Sequence, residues 1–293
     1  MKLQANGLQI EVDVQGPAGG EPVLLVMGLG MQLVAWPEEL VAELVARGFR
    51  VIRFDNRDIG LSQGHDHLGM PRMVGAMLRY TLRLPVPSPY TLRDMADDAV
   101  GVLDALGIPA AHVCGASMGG MIDQQMAVRH PQRVKSLTLI MTTSGARHLP
   151  QPSLRVRQAL LARPRSTAVA DVVAHLEGLV HTIGSPGYRP EPARLRERLE
   201  ASVRRAYRPA GTARQLLAIV ADGDRTTLLR QIRHPTRVIH GADDPLMPPT
   251  AGQQLASQIA GATLDLVPGM GHDLPLPLLP RIADGIAIAA GRS

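Results

Sequence analysis

Ala111-His112-Val113-Cys114-Gly115-Ala116-Ser117-Met118-Gly119 decides how the chain folds. An apolar run, Ala111 to Gly115, reads as a buried strand, and Met118 to His130 has the spacing of a helix. Between them stands Gly-x-Ser-x-Gly. A sharp strand-to-helix turn forces its central residue into strained backbone geometry, so small neighbours are needed to avoid clashes. The turn also sets Ser117 at the positive end of a helix, where negative charge is favoured. The competing reading is a glycine-rich turn of a nucleotide-binding fold. Gly28-Leu29-Gly30 opens a similar fingerprint, but Leu33 stands where a third small residue is needed.

Outward from this turn, strand and helix patterns alternate. Upstream, Leu8, Ile10, Val12 and Val14 alternate after the turn signal Asn6-Gly7. Pro22 to Met27 and Val51 to Asp55 are short apolar runs, separated by a helical pattern over Trp36 to Ala46. A helix is expected near Val74–Thr81, and Thr91 reads as the N-cap of another that runs to Leu106. Downstream, Val134 to Thr142, Thr236 to His240 and Thr263 to Val267 read as strands, and Pro275 to Ala290 as a last helix. Such alternation predicts an α/β fold with a mostly parallel central sheet flanked by helices. From about residue 145 to 233 the strands stop and helical segments broken by Pro164, Pro186, Pro190 and Pro209 take over. The expected organisation is a core of residues 1–145 and 234–293 with a helical cap, 146–233, inserted into it.

A serine hydroxyl is a poor nucleophile until a base takes its proton. His272, in Pro268-Gly269-Met270-Gly271-His272-Asp273, follows the last strand and precedes the last helix. Strand C-terminal ends in such sheets open on one crevice, so His272 and Ser117 are expected to meet there. The acid that orients the base should fall between them in chain order. Thr143-Ser144-Gly145 offers no carboxylate, whereas His240-Gly241-Ala242-Asp243-Asp244-Pro245 offers two. Asp244 is preferred and Asp243 is the alternative, otherwise a turn-former or cap. The oxyanion of the tetrahedral intermediate needs donors, expected from the backbone N–H groups of Met118 and Leu29.

Composition bounds the rest. Of 293 residues 45% are hydrophobic and only 2% aromatic, so the core must be aliphatic and methionine-rich. Met27, Met31, Met118, Met121, Met247 and Met270 fall near the expected site loops, where they fill core or line an adaptable apolar pocket. One cysteine, Cys114, rules out an intrachain disulfide and fits a reducing compartment. The first residues lack a signal-peptide pattern and no run is long enough to span a membrane, so a cytoplasmic protein without a membrane partner is expected. The net charge is +5, but Ala146 to Pro235 holds sixteen arginines against seven acids, leaving the remainder at −4. No aromatics interleave with those arginines, which argues against nucleic acid. His65-Asp66-His67 lacks a third spaced ligand, so no metal is expected.

Several segments together resemble the α/β-hydrolase superfamily. They are Gly28-Leu29-Gly30, Phe54-Asp55-Asn56-Arg57-Asp58-Ile59-Gly60-Leu61-Ser62, the serine turn, Gly241-Ala242-Asp243-Asp244-Pro245 and Gly271-His272, in that order across nearly the whole chain. The likeness is strongest to small esterases of the aclacinomycin methylesterase type. It implies a capped fold, no cofactor, a small-molecule ester as partner and hydrolysis of that ester through an acyl-enzyme. Met27 stands where the family usually has histidine before the oxyanion loop. Carbon–carbon bond hydrolysis, lactone opening and a non-catalytic ligand-binding role stay open, as do the substrate and the oligomeric state.

Overall fold

The computed structural model describes residues 1–292. The chain opens with a hairpin of β1 (Lys2–Ala5) and β2 (Leu8–Gln15). Asn6 and Gly7 take φ of +49° and +75°, the mirror-image turn that matches strand twist. β3 (Glu21–Val26), α1 (Glu38–Ala46), β4 (Phe49–Phe54), α2 (Met73–Thr81), α3 (Leu92–Ala105), β5 (Ala111–Ala116), α4 (Met118–Arg129) and β6 (Val134–Ile140) follow. Five helices then come in succession: α5 (Leu154–Leu161), α6 (Val169–Ile183), α7 (Pro192–Arg205), α8 (Pro209–Asp222) and α9 (Thr226–Leu229). β7 (Thr236–Gly241), α10 (Thr250–Gln258), β8 (Thr263–Val267) and α11 (Leu279–Ala289) complete the fold.

The strands form one eight-stranded sheet in the order β1-β2-β4-β3-β5-β6-β7-β8. β2 pairs antiparallel with β4, and every pairing from β4 to β8 is parallel. Parallel strands need covered faces, and both are covered. Side chains of α3 and α4, with Leu255 of α10, pack on one face, and those of α1 and α11 on the other. β5 lies mid-sheet and is buried at all six positions. The apolar run that reads as a buried strand is therefore the centre of the molecule.

β6 and β7 are neighbours in the sheet, so α5 to α9 form an excursion between two adjacent parallel strands. Prolines stand between these helices or at their first turn, where the missing N–H costs nothing. Thr91 caps α3 in a reciprocal box with Asp94.

Two helices start later than their periodicity suggests. Trp36 precedes Pro37, which disfavours the α region for it, and α1 begins at Glu38. Pro275 to Pro280 holds three prolines, and α11 begins only at Leu279 after a single 3-10 turn.

Candidate active site

The turn after β5 shows why this sequence needs its glycines. Ser117 has φ +55° and ψ −118°, a region non-glycine residues seldom occupy. It is held there by its own N–H donating to Ile140 O at 2.9 Å and by Thr142 Oγ1 donating to Ser117 O at 2.7 Å. A Cβ on Gly119 would lie 1.9 Å from Val26 O, and one on Gly115 would lie 2.2 Å from Asp123 Oδ2. Helix α4 can approach β3 and β5 this closely only because both positions lack side chains. Burial pushes the Asp123 carboxyl and the Cys114 thiol beneath it well up, so both are neutral core groups.

Three loops at the C-terminal ends of β5, β7 and β8 converge. His272 Nε2 lies 3.0 Å from Ser117 Oγ, and His272 Nδ1 lies 2.7 Å from Asp244 Oδ2. The other carboxylate oxygen of Asp244 accepts from the N–H groups of Leu246 and Met247 at 2.9 and 2.8 Å. With Asp244 accepting, the network assigns the histidine proton to Nδ1 and leaves Nε2 free to accept from the serine. The Asp244 side chain is fully buried and that of His272 nearly so.

Of the two neighbouring acids only Asp244 reaches the imidazole. Asp243 instead accepts from Gly269 N at 2.8 Å, while its own N–H donates to Met270 O at 3.0 Å. It staples the loop after β7 to the loop that carries the histidine. A second imidazole, His240, comes within 3.8 Å of Asp244 Oδ2. Burial pulls its pKa down, outweighing the opposite pull of Met247 O, which accepts from its Nε2 at 2.7 Å, and of the Asp244 carboxylate.

The loop after β3 passes beside the serine: a Cβ on Gly28 would lie 3.7 Å from Ser117 Oγ. Among the described residues no hydrogen bond uses the N–H of Leu29, which lies in no helix or strand, or that of Met118, the first residue of α4. The next amide, Gly30 N–H, donates to Gln215 Oε1 at 2.9 Å, and Gln215 Nε2 donates to Arg57 O at 2.9 Å.

Gln215 belongs to a set of contacts that sequence reading missed, all supplied by the excursion. Its α6–α7 connection holds the histidine loop. His272 N–H donates to Ile183 O at 2.8 Å, Gly271 N–H to Ser185 Oγ at 2.8 Å, and Gly187 N–H to Gly269 O at 3.0 Å. The Ser185 hydroxyl in turn bonds Asp273, whose carboxyl is pushed up by burial. From α8, Arg214 makes a two-pronged bond to Asp58 at 2.7 and 2.8 Å, both side chains almost wholly buried. Burial raises the Asp58 carboxyl, but Arg214, the His65 amide and the Tyr90 hydroxyl together hold it below the usual range. At the end of α7, Arg205 reaches buried Asp55 at 2.7 Å.

The methionines divide. Met27, Met118, Met121 and Met270 are buried in the two clusters and Met247 packs against one of them, while Met31 is exposed. Among the described residues no group of three or more His, Cys, Asp or Glu is arranged to hold a metal.

Comparison with known proteins identifies the family. A family model described as the alpha/beta hydrolase fold matches residues 21–276. Rhodomycin D methylesterase DauP of Streptomyces sp. (strain C5) is 30% identical, the match covering 92% of this chain and 91% of that protein. A putative carbamate hydrolase, RutD of Variovorax paradoxus (strain S110), is also 30% identical, with 90% of each chain covered. Among solved structures, a hydrolase from Pseudomonas aeruginosa PA01 superposes with a TM-score of 0.71 at 27% identity, covering 99% of this chain and 98% of that one. The chain belongs to the alpha/beta-hydrolase fold family and is a hydrolase.

Proposed function

We propose that the chain is a serine carboxylic ester hydrolase acting through an acyl-enzyme on small to medium apolar esters. One observation carries the reading: a hydroxyl on a strained turn with an imidazole 3.0 Å away and a buried carboxylate 2.7 Å behind it. Ser117 Oγ attacks the ester carbonyl as His272 Nε2 takes its proton. Asp244 holds the imidazole in the required tautomer and stabilises the imidazolium. The unused N–H groups of Leu29 and Met118 receive the oxyanion, each contributing about 3 kcal/mol to the transition state. His272 then protonates the departing alcohol, and a water activated by the same nitrogen releases the acid. Residues 146–233 act as a cap: through Ser185 and Gln215 they set the loops that carry the base and the oxyanion donors.

The methylesterase relative favours a methyl ester as the scissile group. The carbamate hydrolase relative favours a second reading, since the same attack applies to a carbonyl flanked by nitrogen. Matched apolar methyl esters and carbamates separate the two, and the reading expects the ester to be turned over faster. Ser117→Ala should lower kcat/KM on the methyl ester by about 10⁴-fold or more with an unchanged melting temperature. Retained turnover in that variant would overturn the proposal.

A further inference from the structure

Helix α2 has apolar side chains on two faces, and the fold uses only one. Ala76 is buried and Met73 and Tyr80 are half-buried where the helix meets the molecule. On the other side Val74, Leu78 and Leu82, four residues apart, are 86%, 60% and 59% exposed. On α5, Leu154 and Leu161, two turns apart, are 66% and 77% exposed. Tyr80 at the end of α2 joins the two regions: the Arg147 guanidinium lies 4.3 Å over its ring and donates to its carbonyl at 3.2 Å. Folding does not account for these residues. A stripe of large apolar side chains held in water marks a surface that something else covers.

The charge around the stripe says what. No Asp or Glu occurs between Asp66 and Asp94, nor between Asp123 and Asp171. Those two stretches carry Arg72, Arg79 and Arg83 about α2, and five more arginines from Arg147 to Arg165 about α5, all eight of them exposed. Among the described residues none of the eight forms an ion pair, whereas exposed Arg194, Arg196 and Arg204 each do. Cations without carboxylates, interleaved with outward leucines, match the surface of a bilayer: acyl chains receive the apolar groups and anionic headgroups the guanidinium groups. A second copy would set one such array against another, and like charges repel. A groove of about 450 Å³ between α2 and α8, lined by Arg72, Arg79, Ala76, Leu78 and Leu217, adds space for an inserted chain.

We propose that the α2–α5 surface docks on anionic lipid bilayers, so that the protein works at a membrane face that it does not cross. No helix among the described residues is long and apolar enough to span one, and this docking revises the expectation of no membrane partner. The proposal is independent of the chemistry at Ser117.

Co-sedimentation with vesicles tests it. Equimolar phosphatidylglycerol and phosphatidylcholine should retain the protein at least 10-fold more strongly than phosphatidylcholine alone. Soluble glycerol phosphate in excess should not compete. The triple variant Arg79→Gln, Arg83→Gln, Arg155→Gln should bind about 100-fold more weakly, at roughly five-fold per arginine. Val74→Ser, Leu78→Ser, Leu82→Ser should weaken it at least 10-fold, each variant first shown to be folded by circular dichroism. Equal binding to both vesicles, no binding to either, or variants that bind as the parent does would overturn the proposal. So would a dimer in sedimentation equilibrium that the serine variant dissolves, since the stripe would then be an interface between copies.

Discussion

The excursion between β6 and β7 and the segment beside it use arginine in two opposite ways. On the inner side, half-buried Arg205 and buried Arg214 each end on a buried carboxylate of the core, Asp55 and Asp58. On the outer side, eight arginines of α2, α5 and their flanks meet no carboxylate among the described residues. A buried charge without a partner is too costly to persist, so the inner pairs fix where the helices sit. An exposed one costs almost nothing, so the outer array is free to serve a purpose other than folding. Residues 146–235, with their net +9, therefore hold both kinds: Arg205 and Arg214 fix the structure, and the five arginines from Arg147 to Arg165 face outward without a carboxylate.

The largest test of the inner side is at the carboxylate that the held loops present to the base. Asp244→Asn should lower kcat by about 10³ to 10⁴-fold through the wrong imidazole tautomer, and Asp243→Asn by less than about ten-fold. Steady-state kinetics on a methyl ester decides it, and equal losses would merge the two acids' roles. Next comes the ion pair. Arg214→Met leaves buried Asp58 without its cation, with only the Tyr90 hydroxyl and the His65 amide still donating to it, and should destabilise the fold by about 3–5 kcal/mol in urea unfolding. A loss below about 1 kcal/mol would put the inner pair in the same class as the outer arginines.

Acid sharpens the same contrast. The Asp58 carboxyl titrates below its ordinary value near 3.8 in the folded protein. Its contribution to stability is full above that value and is lost as pH falls through the lower, folded one. The gap between the parent and Arg214→Met should accordingly narrow on acidification below about pH 4, read from urea midpoints across pH. Gln215→Leu removes the acceptor that sets Gly30 and with it the neighbouring Leu29 amide. It should lower kcat by about 10- to 100-fold and leave KM within about three-fold, because a misplacement of about 1 Å costs this much. Smallest of all, Arg155→Gln with Arg157→Gln should change stability by no more than about 0.5 kcal/mol.

What could be read from the residues follows from the range of the physics. The serine turn, the loop holding Asp244 and the loop holding His272 each carry a local signature: an apolar strand stops, and glycine or proline turns the chain. Chain order and the common edge of a parallel sheet then bring three distant side chains to one place.

The supporting contacts had no such signal. Ser185 meets Gly271 across 86 positions and Gln215 meets Gly30 across 185. No periodicity or turn rule encodes pairings of that separation. Ser185 looked like any loop serine before a proline, and Arg214 like one more arginine in a basic stretch. Helix α10 also escaped notice, because only Ala251, Gly252 and Leu255 of its nine residues are buried and no broad apolar stripe marks it.

If one hydroxyl carries the acyl group, that group can be trapped on it. The protein is mixed with an activated apolar aryl ester, quenched in acid within milliseconds and digested. Mass spectrometry should find the acyl mass on the peptide containing Ser117, and no adduct should form in Ser117→Ala. Turnover without any adduct, or an adduct on a different residue, would contradict the account.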